Sequence, residues 1–502
     1  MNRKIVIYLI LLLIVIGAAP YLIGFLVETR FKDIVQVASE LESTKVELVT
    51  YNRGWRHSTA ETRVTLSGKF VEGFHAGLTN SKEAGKNLNI LIKHDIGHGP
   101  FVKLHDGGWA FALAAIHSQL DDEAQKKMMK VVGDTDVLTI DSIIKIDGTT
   151  KAKIHGKELK IAENDKEHIL WKGISGEWEL SRDFKRLQGN MLMPGFDMVF
   201  ENARVVGDDL VFKTQRFKTP EGLWLGTAQG DLQKLQLHIE KKPFFSMTGV
   251  AVSGVTDTEN GMIESSGTLR IELIIVDDKQ YGPANYSGSI KNIAPGAMKS
   301  LVDITKEMES APEAEQSQYI EQIMALLPDL LKTRPEIVID DLSVHVPEGD
   351  VRATFAMAIG GPDATDVHQI QQLIQSIFAK GNFIMPKATL QELLSLSVRD
   401  PIEAQAKQQQ PPLTQEAIDQ EVAKTANEMI TKQIQEGAWV EKGSSLVMDF
   451  EFKDGRLVVN GKMIDLMQLM AGTQSQGAPQ MAPQAAPQLP PENGTTSTPA
   501  PQ

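Results

Sequence analysis

Ile5–Val27 is a run of 23 residues without one charged side chain, placed directly after Arg3 and Lys4. At the α-helical rise of about 1.5 Å per residue, such a run covers the roughly 30 Å hydrocarbon core of a bilayer. Tyr8 and Tyr21 stand near its ends, where amphipathic rings favour the headgroup region. The run predicts a transmembrane anchor, so whatever follows must fold on a tether. Gly17, Ala18 and Ala19 would suit a signal-peptide cleavage site. Against cleavage stand Pro20, a poor fit to the extended conformation a peptidase grips, and the apolar residues Leu22, Ile23, Phe25 and Leu26 beyond it. We therefore expect a retained anchor over residues 5–27, with residues 1–4 in the cytoplasm and the body on the far side. No later stretch is long and apolar enough to cross again, which makes the expected protein single-pass.

The chain carries 65 acidic and 51 basic residues, a formal charge of −14. That balance argues against binding nucleic acid or anionic lipid headgroups through long-range attraction. There is no cysteine, which removes disulfides, thiolate metal sites, lipoprotein acylation and cysteine nucleophiles together. Absence of thiols suits an oxidising periplasm.

Hydrophobic periodicity divides the remainder. Phe31, Ile34, Ala38 and Leu41 recur at helical spacing, so residues 28–43 read as a helical extension of the anchor packed on the body. Residues 44–296 are dominated by period-two alternation. Ala60, Thr62, Val64 and Leu66 alternate with polar neighbours, and similar runs follow at 88–92, 137–146, 151–161, 198–206, 209–216, 249–255, 265–276 and 336–346. Asp147-Gly148 and Gly207-Asp208-Asp209 read as turns between them. Residues 297–470 mix helices and strands of the same body. Amphipathic helices are expected over Ile320–Leu331, Val367–Ile377, around Leu390–Leu394, and from Thr414 to Glu436. A hairpin, Leu446–Phe452 and Leu457–Val459, turns at Asp454-Gly455. Residues 471–502 hold repeated Ala-Pro-Gln and one charge, a composition that buries no core and reads as a disordered tail. The fold class is α+β and β-dominated: an extended antiparallel sheet with amphipathic helices packed on it.

The densest polar cluster is His94-Asp95-Ile96-Gly97-His98-Gly99-Pro100-Phe101, with His105-Asp106 beyond. Two readings stand. In one it is a structural turn, with a Gly-Pro corner, a histidine bonding to backbone and Phe101 filling the space beneath. In the other it is the divalent-metal site of a hydrolase, which requires at least three of His94, Asp95, His98 and His105 to converge. On a strand His94 and His98 share a face but lie about 13 Å apart, too far to chelate one ion. No phosphate loop, dinucleotide fingerprint, H-E-x-x-H or G-x-S-x-G element occurs. No catalytic, cofactor-binding or metal-ligating residue is assigned, and no cofactor is expected.

Several pieces occur in a familiar order: Val27-Glu28-Thr29-Arg30-Phe31-Lys32-Asp33, Tyr51-Asn52-Arg53-Gly54, His98-Gly99-Pro100-Phe101, Leu326-Leu327-Pro328 followed by Leu330-Leu331-Lys332, and Val459-Asn460-Gly461. Together they resemble the YdgA family of proteobacterial envelope proteins, a domain of unknown function, from the anchor to about Met470. The resemblance implies an inner-membrane protein with a periplasmic body and supplies no catalytic residues. Tyr51, Arg53, Gly54, His98, Gly99, Pro100, Phe101, Asn460 and Gly461 are its motif positions. The organisation is also similar to AsmA-like proteins, which implies a long antiparallel sheet curved into an apolar groove. The function expected is a non-enzymatic envelope protein that binds an apolar ligand such as lipid, or an envelope protein partner. Its alternative is the metal-dependent hydrolase. An apolar sheet face left uncovered favours the first; a face packed shut by helices removes its basis.

Overall fold

The computed structural model describes residues 3–40, 44–67, 87–132, 137–164, 167–200, 203–240, 242–311, 316–360, 374–407 and 413–464, with side chains of the first helix described from Ala19 onward. Its main body is a curved antiparallel sheet. Neighbour by neighbour, the sheet begins with β1 (Thr44–Arg53), β2 (His57–Ser67), β3 (Asn87–His98), β5 (Trp109–Leu120), β6 (Leu138–Lys145) and β7 (Thr150–Gly156). It continues through β10 (Ile174–Leu180), β11 (Arg186–Phe200), β12 (Ala203–Lys218), β13 (Trp224–Ile239), β14 (Lys242–Glu259) and β15 (Met262–Ile271). The last stretch is β18 (Ala284–Ile293), β19 (Glu336–Val346), β20 (Gly349–Ala358), β21 (Phe378–Pro386), β23 (Ser445–Lys453), β24 (Arg456–Val459) and β25 (Lys462–Ile464). Short strands attach at the sides. β4 (Phe101–Lys103) pairs with β5, and β8 (Leu159–Asn164) pairs with β9 (Glu167–Trp171), which joins the far end of β11. β16 (Leu273–Val276) lies on β14 and carries β17 (Lys279–Tyr281), while β22 (Val440–Lys442) lies on β23.

Helices close the sheet at its ends. Helix α1 (Arg3–Glu40) packs Val27 and Phe31 against Ala60, Ile96, Ala114, Ile116 and Ile144, a core drawn from β2, β3, β5 and β6. Farther along, its Val37 meets Leu180 and Leu187, and Glu40 binds Lys218 at 2.6 Å and the Trp224 indole at 3.3 Å. A short helix, α2 (Asp122–Val132), follows β5. Helix α3 (Pro295–Ser310) covers Leu223, Leu225 and Ile263 through Met298 and Val302, and α4 (Gln316–Leu331) packs beside it. At the other end α5 (Lys387–Ala406) and α6 (Gln415–Glu436) bury Leu390 and Ile430 against Phe383, Met385, Leu446 and Met448.

Many expected elements stand where the pattern placed them. Thr414 caps α6 by accepting the Ala417 N–H, and Asp454 and Gly455 adopt positive φ in the β23–β24 turn. Four differ. His94–His98 is strand, and the chain turns only at Gly99-Pro100. Gly207–Asp209 lies inside β12, where cross-strand hydrogen bonds to β13 carry the chain through the polar residues. The run 198–206 joins the end of β11 to the start of β12, and 265–276 breaks at Glu272 into β15 and β16. Helix residues 20–27, assigned to the anchor, dock on protein along one side: Pro20, Gly24 and Val27 are buried. Among the described residues no helix is long and apolar enough to cross a membrane. Side chains of 5–18, most of helix 367–377 and the tail 471–502 lie outside the described residues.

Candidate functional site

The motif positions of the Tyr-x-Arg-Gly and His-Gly-Pro-Phe segments meet at α1. His98, 2% exposed, has its Nδ1 3.0 Å from the Pro20 carbonyl and its Nε2 3.0 Å from Ser58 Oγ. A carbonyl only accepts, so Nδ1 carries the proton, and in the neutral ring Nε2 accepts from the Ser58 hydroxyl. Ser58 Oγ in turn accepts the Gly54 N–H at 3.4 Å. This chain of bonds ties the Tyr-x-Arg-Gly turn, the His-Gly-Pro-Phe corner and the helix into one unit. Gly24 leaves room for it, since a Cβ there would meet the imidazole at 2.8 Å. Gly99, at φ +137°, brings its backbone against the Pro20 ring. Burial holds His98 below the usual histidine range; its bond to the Pro20 carbonyl opposes the shift, and His57 and Arg53 add to it.

Arg53 bridges to Glu28 at 3.0 Å and lies 3.4 Å over the Phe25 ring, with Tyr21 also within cation–π reach. Tyr51 packs on Phe31, and burial raises its phenol. His94 sits beneath the same helix, edge-on to Phe31, between Thr62 Oγ1 and Ser118 Oγ at 2.8 Å each. Desolvation pushes it down to about 4. Asn460 does equivalent work at the other end. Its side chain donates to the Gly437 and Ala438 carbonyls and accepts the Asp449 N–H, fixing the β24–β25 turn to the end of α6.

The histidines do not gather as the hydrolase reading requires. His94 and His98 face α1. Asp95, on the opposite face, meets His57 at 3.0 Å, and His105 stacks on His117, which bonds to Asp141 at 2.7 Å. These last groups border a cleft of about 680 Å³. Among the described residues no three His, Cys, Asp or Glu side chains are placed to hold one metal ion. The structural reading of the corner needs one correction as well. Phe101 does not fill the space beneath it; Phe101 is 62% exposed, and Val102 is the buried residue of β4.

Sequence reading did not place the most extensive feature. Met191, Phe212, Gly230, Val252 and Leu269 lie in register across β11–β15, on one face of the sheet. The row continues through Tyr286, Leu342, Ala353 and Phe383 to β21. A parallel row holds Met193, Leu210, Leu232 and Val250, and another Ile290, Ile337 and Met357. The opposite face carries a polar row, Asn190, Lys213, Gln229, Ser253 and Thr268, likewise in register. Register places the apolar rows on the face that α1 covers at one end and α5–α6 at the other. Between those ends Val252, Tyr286, Ile290, Ile337 and Leu342 remain 36–50% exposed. Strand-by-strand alternation hinted at this, but only register adds separate strands into one surface.

A family described as bacterial protein of unknown function (DUF945) matches residues 1–467. No curated protein matches the chain, and no solved structure does.

Proposed function

The chain belongs to the DUF945 family of bacterial proteins, and from that premise we propose that it is a YdgA-like envelope protein, held in the inner membrane by its N-terminal run, whose periplasmic sheet binds an apolar ligand of the lipid class. One observation carries this reading: an apolar face spans β11–β20, on which Val252, Tyr286, Ile290, Ile337 and Leu342 are 36–50% exposed. Soluble proteins rarely leave so extended a patch uncovered unless something binds there. The register rows that make up the face hold no charged side chain, which suits acyl chains.

The test compares the full chain with a Val252→Asp, Leu342→Asp double variant. Both side chains are exposed, so the variant keeps the fold while charging the face. Each is purified in the same detergent and its lipid extracted and counted by mass spectrometry. The reading expects the unaltered chain to retain phospholipid at or above one per chain and the variant to lose most of it. Equal lipid in the two would sink it. A chain free of lipid would move the same face to an envelope protein partner.

A further inference from the structure

The first part of α1 is too short to cross a bilayer before it meets the body. The helix is docked by Pro20, whose carbonyl holds His98, so at most about 15 residues, Ile5–Ala19, precede the docked part; at about 1.5 Å each they cover roughly 22 Å of a core near 30 Å. The deficit falls on the next two turns. There Tyr21, Leu22, Phe25 and Leu26 are 45–65% exposed on the side of the helix that faces away from the sheet. Two loops stand beside those turns. The β1–β2 turn is fixed by Arg53 over Tyr21 and Phe25, and two residues on it presents Trp55. The β3–β4 corner is fixed by Gly99 against Pro20, and two residues on it presents Phe101, whose ring meets that of Phe111 across the hairpin at 5.3 Å. Trp55, Phe101, Trp109 and Phe111 are 56–66% exposed, among the most exposed aromatic side chains of the described residues. Arg56 and Lys103, on the same two loops, are exposed cations of the kind that meet lipid phosphates.

We infer that these two loops form an aromatic collar around α1 that seats the body in the headgroup layer of a bilayer. The inference rests on the anchored reading above. At a membrane boundary the Trp indoles keep their N–H wet and their rings apolar, the Phe rings add apolar surface beside them, and the collar makes good the length that α1 lacks. Seating also has a mechanical consequence. A body fixed at two loops and a helix cannot swing freely, so the apolar sheet face meets the bilayer at one angle.

The chain has no cysteine, so a single introduced thiol can carry a nitroxide. Trp55→Cys and Phe111→Cys report the collar. Ile320→Cys and Leu396→Cys, equally exposed apolar sites on α4 and α5, report the rest of the body. Each full-length variant is reconstituted in phosphatidylethanolamine–phosphatidylglycerol vesicles and floated on a density gradient. Relaxation by oxygen is then compared with relaxation by a water-soluble nickel chelate. Collar labels are expected to favour oxygen, and the two control labels to favour nickel. Floating vesicles whose collar labels respond to nickel as strongly as the controls would overturn the collar and leave the anchor standing. A chain that does not float with the vesicles would overturn both, while the lipid count on the sheet face is read independently.

Discussion

The region under α1 and the middle of the sheet belong to one continuous sheet and obey opposite rules. Under α1, Ile96, Ala114 and Ile144 are fully buried, and the polar groups His94, His98 and Ser58 have partners for their side-chain atoms. Across β12–β19 the apolar face is covered only in part: α3 buries Ile263 on β15, while Val252 is 50% exposed and Leu342 45%. Hydrogen-bonded ladders of 16–18-residue strands hold that part together instead. Stability is concentrated where helices close the sheet, and the unclosed stretch is left available to bind. A side chain's effect on folding should therefore depend on which stretch it occupies, more than on its size.

Truncation should show this most strongly. Ile96→Ala opens a cavity in a site with no exposure and should cost about 3–4 kcal/mol in chemical denaturation. A loss below 1 kcal/mol would mean that the α1 interface is not the core of the molecule. Acid should act on the same region. His94 titrates near 4 in the fold against an ordinary 6.5, so the folded state favours the neutral ring. Its contribution is complete above pH 6.5 and is lost as pH falls towards 4, because the unfolded chain takes up the proton first. The loss should be on the order of 3 kcal/mol. His94→Gln should flatten that part of the stability–pH curve; an unchanged slope would place the acid sensitivity elsewhere.

Much of this contrast was legible in the amino-acid order, but not its location. Thr414 and Asp454-Gly455 announced a helix start and a turn because their chemistry is local. The motif residues Tyr51, Arg53 and His98 could be singled out, yet their role depends on contacts 25–78 residues away along the chain. The open face was harder still. Each strand shows alternation, but whether Val252 shares a face with Leu342 depends on the pairings of β14 with β15, β15 with β18, and β18 with β19. Gly24 was invisible inside a uniformly apolar run, since nothing in the run tells which side meets an imidazole. Nor did the run tell that Pro20, Gly24 and Val27 meet protein on one side, since hydropathy does not separate lipid from a protein neighbour.

A smaller effect probes the joint between helix and sheet. His98→Ala removes two buried hydrogen bonds and should cost about 2 kcal/mol. Gly24→Ala drives a methyl to 2.8 Å from the ring, and should cost about 1–2 kcal/mol despite alanine's better helix propensity. Combined with His98→Ala, the same methyl enters vacated space, and the propensity gain of up to about 1 kcal/mol should return. The two changes should thus couple with opposite sign to their separate effects. Additive costs in the double-mutant cycle would show that Gly24 is not there to admit the histidine.

The smallest expected change in stability is at the centre of the open face. Val252→Thr keeps the β-branch that suits a strand and trades one methyl for a hydroxyl at a half-exposed site. Denaturation should move by no more than about 0.5 kcal/mol. Retained lipid should fall nonetheless, because a hydroxyl set among acyl chains loses its water without gaining a partner. That separation, ligand loss without stability loss, is what distinguishes an exposed binding face from a poorly packed core. If Val252→Thr instead destabilised the fold as strongly as truncations under α1, the middle of the sheet would be core, and the contrast between the two regions would collapse.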